Sequence, residues 1–144
     1  MITTKGRYAV RVMLDLAQQQ PGTYVPLIGI AERQRISKKY LEAIMRSLVA
    51  CNLVEGTRGK NGGYRLVKAP ADYTIAEILE AAEGPLAPVA CLRPDAQACD
   101  YAPQCKSLPL WKRYDAMIED FFRANTLQSV LEESEIYRQV KTCI

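Results

Sequence analysis

Three cysteines, Cys91, Cys99 and Cys105, fall in one proline-rich stretch, PLAPVACLRPDAQACDYAPQC. Thiolates are soft donors that select zinc, copper(I) or an iron–sulfur cluster. The spacing Cys-x7-Cys-x5-Cys is neither the CxxC pairing of most zinc sites nor a ferredoxin run. Setting says more than spacing here. Residues 85–105 have no helical or strand period, and a structureless loop of that length in a compact domain is either functional or ordered by something it binds. Three thiolates leave a fourth ligand position open or filled from elsewhere; the alternative is three unligated thiols. With Cys51 and Cys143 the cysteines number five. An odd count in a chain with no signal-peptide pattern at its start argues against a disulfide framework.

The chain contains no histidine. That removes Ser-His-Asp and Cys-His catalysis and any imidazole-held metal. No nucleophile–base pair or phosphate-binding loop is visible, so the sequence does not read as an enzyme. At 144 residues, 49% hydrophobic and 24% charged, it has the size of one compact domain or a small domain with an attachment. No apolar run approaches the roughly 18 residues of a membrane span. The expectation is a soluble, cytoplasmic protein with no membrane partner.

The net charge of +3 conceals an asymmetry. Residues 1–68 hold twelve Lys/Arg against four Asp/Glu, a net of +8; residues 69–144 hold seven against twelve, a net of −5. A basic N-terminal half suggests a polyanionic partner there.

The elements that would position this charge follow from periodicity. Thr3 or Thr4 can cap a helix reaching about Gln19, with Tyr8, Ala9, Val12, Met13, Leu14, Leu16 and Ala17 on its apolar side. Gln20-Pro21-Gly22 stops it. A short helix follows over Leu27–Gln34. Ser37 then caps a helix from Lys38 to about Cys51. Tyr40, Leu41, Ile44, Met45, Leu48 and Val49 recur on its core side, while Lys38, Lys39, Glu42, Ala43, Arg46 and Ser47 take the opposite side. Helix, short turn and helix with a basic outer face is the helix-turn-helix pattern. Strands at Leu53–Glu55 and Tyr64–Val67 flank a glycine-rich tip carrying Arg58 and Lys60, which predicts a β-hairpin wing. Thr74 and Glu77 have capping-box spacing at the start of a helix over Ile75–Glu83. The fold class expected is mainly α with a small β-hairpin: a winged helix-turn-helix domain over 1–84, a cysteine-bearing loop over 85–105, and a dimerisation helix, short helix and tail over 106–144.

Double-stranded DNA is the partner this arrangement implies. The candidate contacts are Ser37, Lys38, Lys39, Tyr40, Glu42 and Arg46 in the major groove. Arg58 and Lys60 would meet the minor groove or phosphates, and Lys5, Arg7 and Arg11 the backbone. Glu42 has two readings: a carboxylate accepting from a cytosine amino group, or one paired with Lys38 or Arg46 one turn away. Towards the C-terminus, Leu110, Trp111, Tyr114, Met117, Ile118, Phe121 and Phe122 form the apolar face of a long helix starting near Lys106. A small winged domain has little room to bury such a face, so Trp111, Tyr114, Ile118, Phe121 and Phe122 are expected at a homodimer interface, and helix-turn-helix dimers read palindromic operators. Thr126–Glu132 adds a short capped helix before a tail.

The opening TTKGRYAVRVMLDLA, the helix pair IAERQRISKKYLEAIMRSL, the hairpin LVEGTRGKNGGYRL and the three loop cysteines together resemble the Rrf-type family of bacterial winged-helix regulators, with its IscR-, CymR-, NsrR- and RirA-like branches. The resemblance covers about residues 1–133. It implies a homodimeric DNA-binding regulator, most simply a repressor, with a long C-terminal dimerisation helix. It also implies that Cys91, Cys99 and Cys105 hold a [2Fe–2S] or [4Fe–4S] cluster, as in the cluster-bearing branches. The histidine of the IscR-type pattern, three residues after the last cysteine, is Leu108 here. The fourth ligand is left to Asp15, Asp95, Asp100, Cys143 or a small molecule. The segment EGPLAPV is similar to the CymR branch, whose typical members carry no cluster.

Overall fold

The computed structural model describes residues 2–142. Six helices and one hairpin follow in the order α1 (Thr4–Ala17), α2 (Leu27–Gln34), α3 (Lys38–Ala50), β1 (Val54–Thr57), β2 (Gly63–Leu66), α4 (Ile75–Glu83), α5 (Leu108–Ala124) and α6 (Leu127–Thr142). Single 3-10 turns lie at Pro70–Asp72, Ala90–Leu92 and Ala102–Gln104.

The core is assembled from one stripe of each of the first four helices. Ala9, Val12, Met13, Ile30, Leu41, Ile44, Met45, Leu48 and Ile78 are completely buried. Of the residues expected on the core side of α3, Tyr40 and Val49 stand instead at its exposed margins. A contiguous apolar arc of that width exceeds what α1, α2 and α4 can cover.

Two long-range ties close this unit. Tyr73 is fully buried, and its hydroxyl accepts from the N–H of Val67 (2.8 Å) and Lys68 (2.9 Å) while donating to the Leu53 carbonyl (2.8 Å). It therefore pins both ends of the hairpin to α4. At the other end of the domain, Glu83 Oε1 accepts from the Thr3 N–H (2.8 Å), the Thr3 hydroxyl (3.0 Å) and the Gly6 N–H (2.8 Å). A carboxylate from the end of α4 thus satisfies donors that the first turn of α1 would leave unpaired. Gly6 is required by that approach, since a Cβ there would lie 2.0 Å from Glu83 Oε1.

The hairpin is antiparallel, with Glu55 opposite Arg65 and Gly56 opposite Tyr64. Val25 adds a one-residue antiparallel bridge to β2: its N–H donates to the Tyr64 carbonyl at 2.8 Å and its carbonyl accepts from Tyr64 N–H at 2.9 Å. Gly63 permits this, because a Cβ would meet the Val25 carbonyl oxygen at 2.3 Å.

The C-terminal region differs from the sequence expectation in one element. The short helix expected to end near Glu132 continues to Thr142. Residues 126–142 contain no glycine or proline and are rich in Glu, Gln, Arg and Lys, so nothing in them stops a helix. Leu127 is completely buried in the same core as α1 to α4. The link before it runs beside the start of α4, with Ile75 N–H on the Asn125 carbonyl (2.8 Å) and Leu127 N–H on the Tyr73 carbonyl (3.1 Å).

Candidate functional site

The basic face is built around α3. The Ser37 hydroxyl caps the helix by accepting from Tyr40 N–H at 3.3 Å. With Leu41, Ile44, Met45 and Leu48 buried, Lys38, Lys39, Glu42 and Arg46 are turned outward. Among the described residues Glu42 forms no ion pair with Lys38 or Arg46. Its carboxylate is exposed on the outer surface of α3.

The wing stands beside α3. Arg58 and Lys60 lie exposed at its tip, and the Glu55–Arg65 ion pair across the strands stiffens its base. Between wing and helix is an open cleft of about 630 Å³, lined among others by Lys38, Arg46, Val49, Arg58, Gly59 and Tyr64. An α-helix with its side chains is about 10–12 Å across, matching the major groove of B-DNA. A helix presented this way with a basic hairpin alongside suits a duplex whose groove takes the helix and whose adjacent backbone meets the hairpin.

The start of α1 extends the same face. Lys5 Nζ donates to Ser47 Oγ of α3 at 3.1 Å. Tyr8 meets Tyr40 edge-on with ring centroids 5.8 Å apart, and the Arg11 guanidinium lies 5.1 Å from the Tyr8 centroid. Arg7 is exposed and donates to Thr4 Oγ1 at 3.1 Å.

The cysteine loop is arranged differently. Cys91 and Cys99 are exposed and Cys105 is half-buried. Among the described residues no three Cys, Asp or Glu side chains converge on a point that could hold a metal ion. The donor chemistry suits a soft metal, whereas the arrangement does not gather the donors. Asp15 does not remedy this. It is buried, and its two oxygens accept from Arg33 Nε (2.9 Å), Arg33 Nη2 (2.6 Å) and Gln34 Nε2 (2.8 Å). In this structure the carboxylate is committed elsewhere: it locks α1 to α2. Asp95 is held by Arg93 at 3.0 Å, and Cys143 lies outside the described residues. Cys105 has its own environment. Its sulfur is 3.4 Å from Ser107 Oγ at the start of α5, and that hydrogen bond, with the N–H groups of Ser107 and Leu108, holds the thiol below its ordinary pKa.

α5 contains no buried residue. Leu110, Tyr114, Met117 and Phe121, spaced four, three and four apart, lie along one exposed line, with Trp111 beside them. Ile118 and Phe122 turn the other way. Phe122 packs against the core of its own chain, and Ile118 lines a small crevice with Leu86 and Leu92. The five residues expected together at a dimer interface therefore divide into an outward set, Trp111, Tyr114 and Phe121, and an inward pair.

A family model described as an iron-dependent transcriptional regulator, Rrf2, matches residues 2–133. The chain belongs to the Rrf2 family. A Neisseria meningitidis relative, named as a helix-turn-helix-type transcriptional regulator, is 40% identical over 92% of this chain and 88% of its own. IscR of Vibrio atlanticus is 35% identical over 94% and 77% of the two chains. Among solved structures, CymR of B. subtilis superposes with a TM-score of 0.74 at 30% identity, covering 92% of this chain and 97% of that one. T. potens IscR gives 0.71 at 30%, covering 93% and 88%. This Rrf2-family chain is accordingly a helix-turn-helix transcriptional regulator with a winged-helix fold, and the family and these relatives are regulators rather than enzymes. No described helix is long and apolar enough to cross a membrane.

Three features of this Rrf2 chain were not legible in its sequence. The Val25 bridge to Tyr64 carries no period, being a single residue. Glu83 as the cap of α1 acts across 77 to 80 residues. The Asp15–Arg33–Gln34 cluster had one available signal, a lone acid on the apolar side of α1.

Proposed function

We propose that this Rrf2-family regulator acts in the cytoplasm as a homodimer on a palindromic double-stranded DNA operator, most simply as a repressor. The 1–84 winged domain would read the DNA, and the exposed line of α5 would pair with its copy. One observation carries the reading: Lys38 and Arg46 on α3 and Arg58 on the wing line two sides of one open cleft, and with the exposed Lys39, Glu42 and Lys60 they stand without ion-pair partners among the described residues. Binding to a selected duplex should weaken steeply with salt. Lys38→Ala and Arg58→Ala should each lower affinity, and unchanged affinity in both would remove the groove assignment.

We infer that the signal enters through the loop, with Cys91, Cys99 and Cys105 as ligands of a [2Fe–2S] or [4Fe–4S] cluster. Support comes from the iron-dependent description of the family, the IscR relatives and the softness of three thiols in one loop. A cluster-free repressor of cysteine or sulfur metabolism, controlled by a partner protein, zinc or thiol oxidation, is the second reading. Favouring it are the unconverged thiols, the commitment of Asp15 to Arg33, Leu108 in place of a histidine and the likeness to CymR. Protein purified without oxygen decides between them. Visible absorption with matching iron and acid-labile sulfide supports the cluster; colourless, iron-free protein supports the second reading and leaves the DNA-binding argument intact.

A further inference from the structure

The turn between α2 and α3 ends in a Schellman motif: Ile36 N–H donates to the Ala31 carbonyl at 3.1 Å and Arg35 N–H to the Glu32 carbonyl at 3.3 Å. Ile36 and Ala31 are both buried, supplying the apolar contact that usually accompanies the motif. This geometry needs a left-handed residue at position 35. Arg35 adopts it, with φ 54° and ψ 46°. Glycine takes that conformation without steric cost, and an arginine there is disfavoured because its Cβ crowds the backbone.

Among the described residues no contact of the Arg35 side chain offsets that cost. Neighbouring cations are committed: Arg33 to Asp15, Arg11 to Gln34 and to the Tyr8 ring, Lys5 to Ser47. Arg35 is exposed, and among the described residues its guanidinium has no hydrogen bond, ion pair or ring contact. It resembles Lys38, Lys39 and Arg58 in this, and it stands two residues before the cap of the recognition helix.

We propose that Arg35 is a DNA-backbone contact, a guanidinium held at the mouth of α3 to clamp a phosphate at the edge of the groove that α3 enters. A guanidinium presents paired donors to phosphate oxygens, and this one is exposed two residues before the Ser37 cap of α3. The proposal rests on the DNA-binding reading above.

The test replaces Arg35 by glycine and, separately, by lysine. Each variant is titrated over a range of salt against a duplex selected by the wild-type protein from a random pool and against a scrambled duplex. Arg35→Gly should raise the thermal midpoint by about 2–4 °C through relief of the turn. It should weaken binding about tenfold on both duplexes and flatten the salt slope by about one for each protomer engaged. Arg35→Lys should keep the slope. Wild-type affinity in Arg35→Gly, while Lys38→Ala and Arg58→Ala bind poorly, would overturn the role of Arg35 and leave the DNA reading standing. Loss confined to the selected duplex with an unchanged slope would make Arg35 a base reader and overturn the phosphate assignment. Absence of salt-dependent binding in wild type as well would sink the DNA reading itself. If Arg35→Gly unfolds early, Arg35→Asn, a neutral residue that tolerates the left-handed region, carries the test: a wild-type slope and affinity there overturn the phosphate contact.

Discussion

α3 and α5 carry nearly the same sequence pattern, an apolar stripe at helical spacing with charge on the other side, and they end in opposite situations. In α3 the stripe meets α1, α2 and α4, and Leu41, Ile44, Met45 and Leu48 are completely buried. In α5 only one margin of the stripe turns inward, with Phe122 against the core and Ile118 in a small crevice, while Met117 and Phe121 remain 59% and 61% exposed. An amphipathic helix announces that one face is to be covered; what covers it depends on the elements folded around it. For α3 the cover is within the chain. For α5 the chain supplies half a cover, and the exposed line is the surface proposed for a second copy.

The contrast predicts different consequences for cutting the two stripes. Leu48→Ala should cost about 2–5 kcal/mol of unfolding free energy, measured by urea denaturation, because it opens a cavity in a packed core. Phe121→Ala should leave monomer stability within about 0.5 kcal/mol and instead shift the species seen by sedimentation from dimer to monomer. A large stability loss in dilute Phe121→Ala would mean that α5 is covered by its own chain after all.

The tie between hairpin and α4 gives the next largest effect. Tyr73→Phe strands the Val67 and Lys68 N–H groups and the Leu53 carbonyl, and should cost about 1–3 kcal/mol with little change in packing. Hydrogen exchange should loosen at both strand ends; an unchanged stability would show that water replaces the hydroxyl. Glu83→Ala uncaps α1 from a distance and should cost about 0.5–2 kcal/mol, with fraying of the first turn as its spectroscopic sign.

The smallest effect sharpens the contrast inside the loop. The hydrogen bond from Ser107 lowers the pKa of Cys105, so its thiolate forms at lower pH than that of an unperturbed cysteine. The rate of Cys105 alkylation in otherwise cysteine-free protein should therefore reach half its plateau at a lower pH than a cysteine in an unstructured peptide. Ser107→Ala should move the midpoint upward. Identical profiles for the two proteins would assign the shift to something other than Ser107.

Much of the winged domain is written in local signals. α2 and α4 occupy the spans their periodicity marks, Ser37 and the Thr74–Glu77 capping box form as their residue types require, and the glycine-rich hairpin closes where its turn residues cluster. Boundaries slipped where packing decided them: α1 ends two residues early at Ala17, and α6 runs ten residues past Glu132. The basic face was legible because exposed charge opposite an apolar stripe is itself a periodic signal. The cysteine loop was legible only as composition. Three thiols in one segment state which chemistry is available, but convergence is a property of backbone path, which a loop without a repeating pattern does not encode locally.

From residue order alone follow the elements, their apolar faces, the basic surface of the first half and the absence of imidazole chemistry, because each rests on residue type or on a period of a few residues. Tertiary structure alone places Val25 beside Tyr64, Glu83 on the first turn of α1 and Asp15 against Arg33 and Gln34. It also leaves Arg35 in a left-handed turn with an uncommitted guanidinium, and divides the α5 face into an inner pair and an outer line. Those contacts join residues that no local period relates, and only closure of the chain brings them within reach.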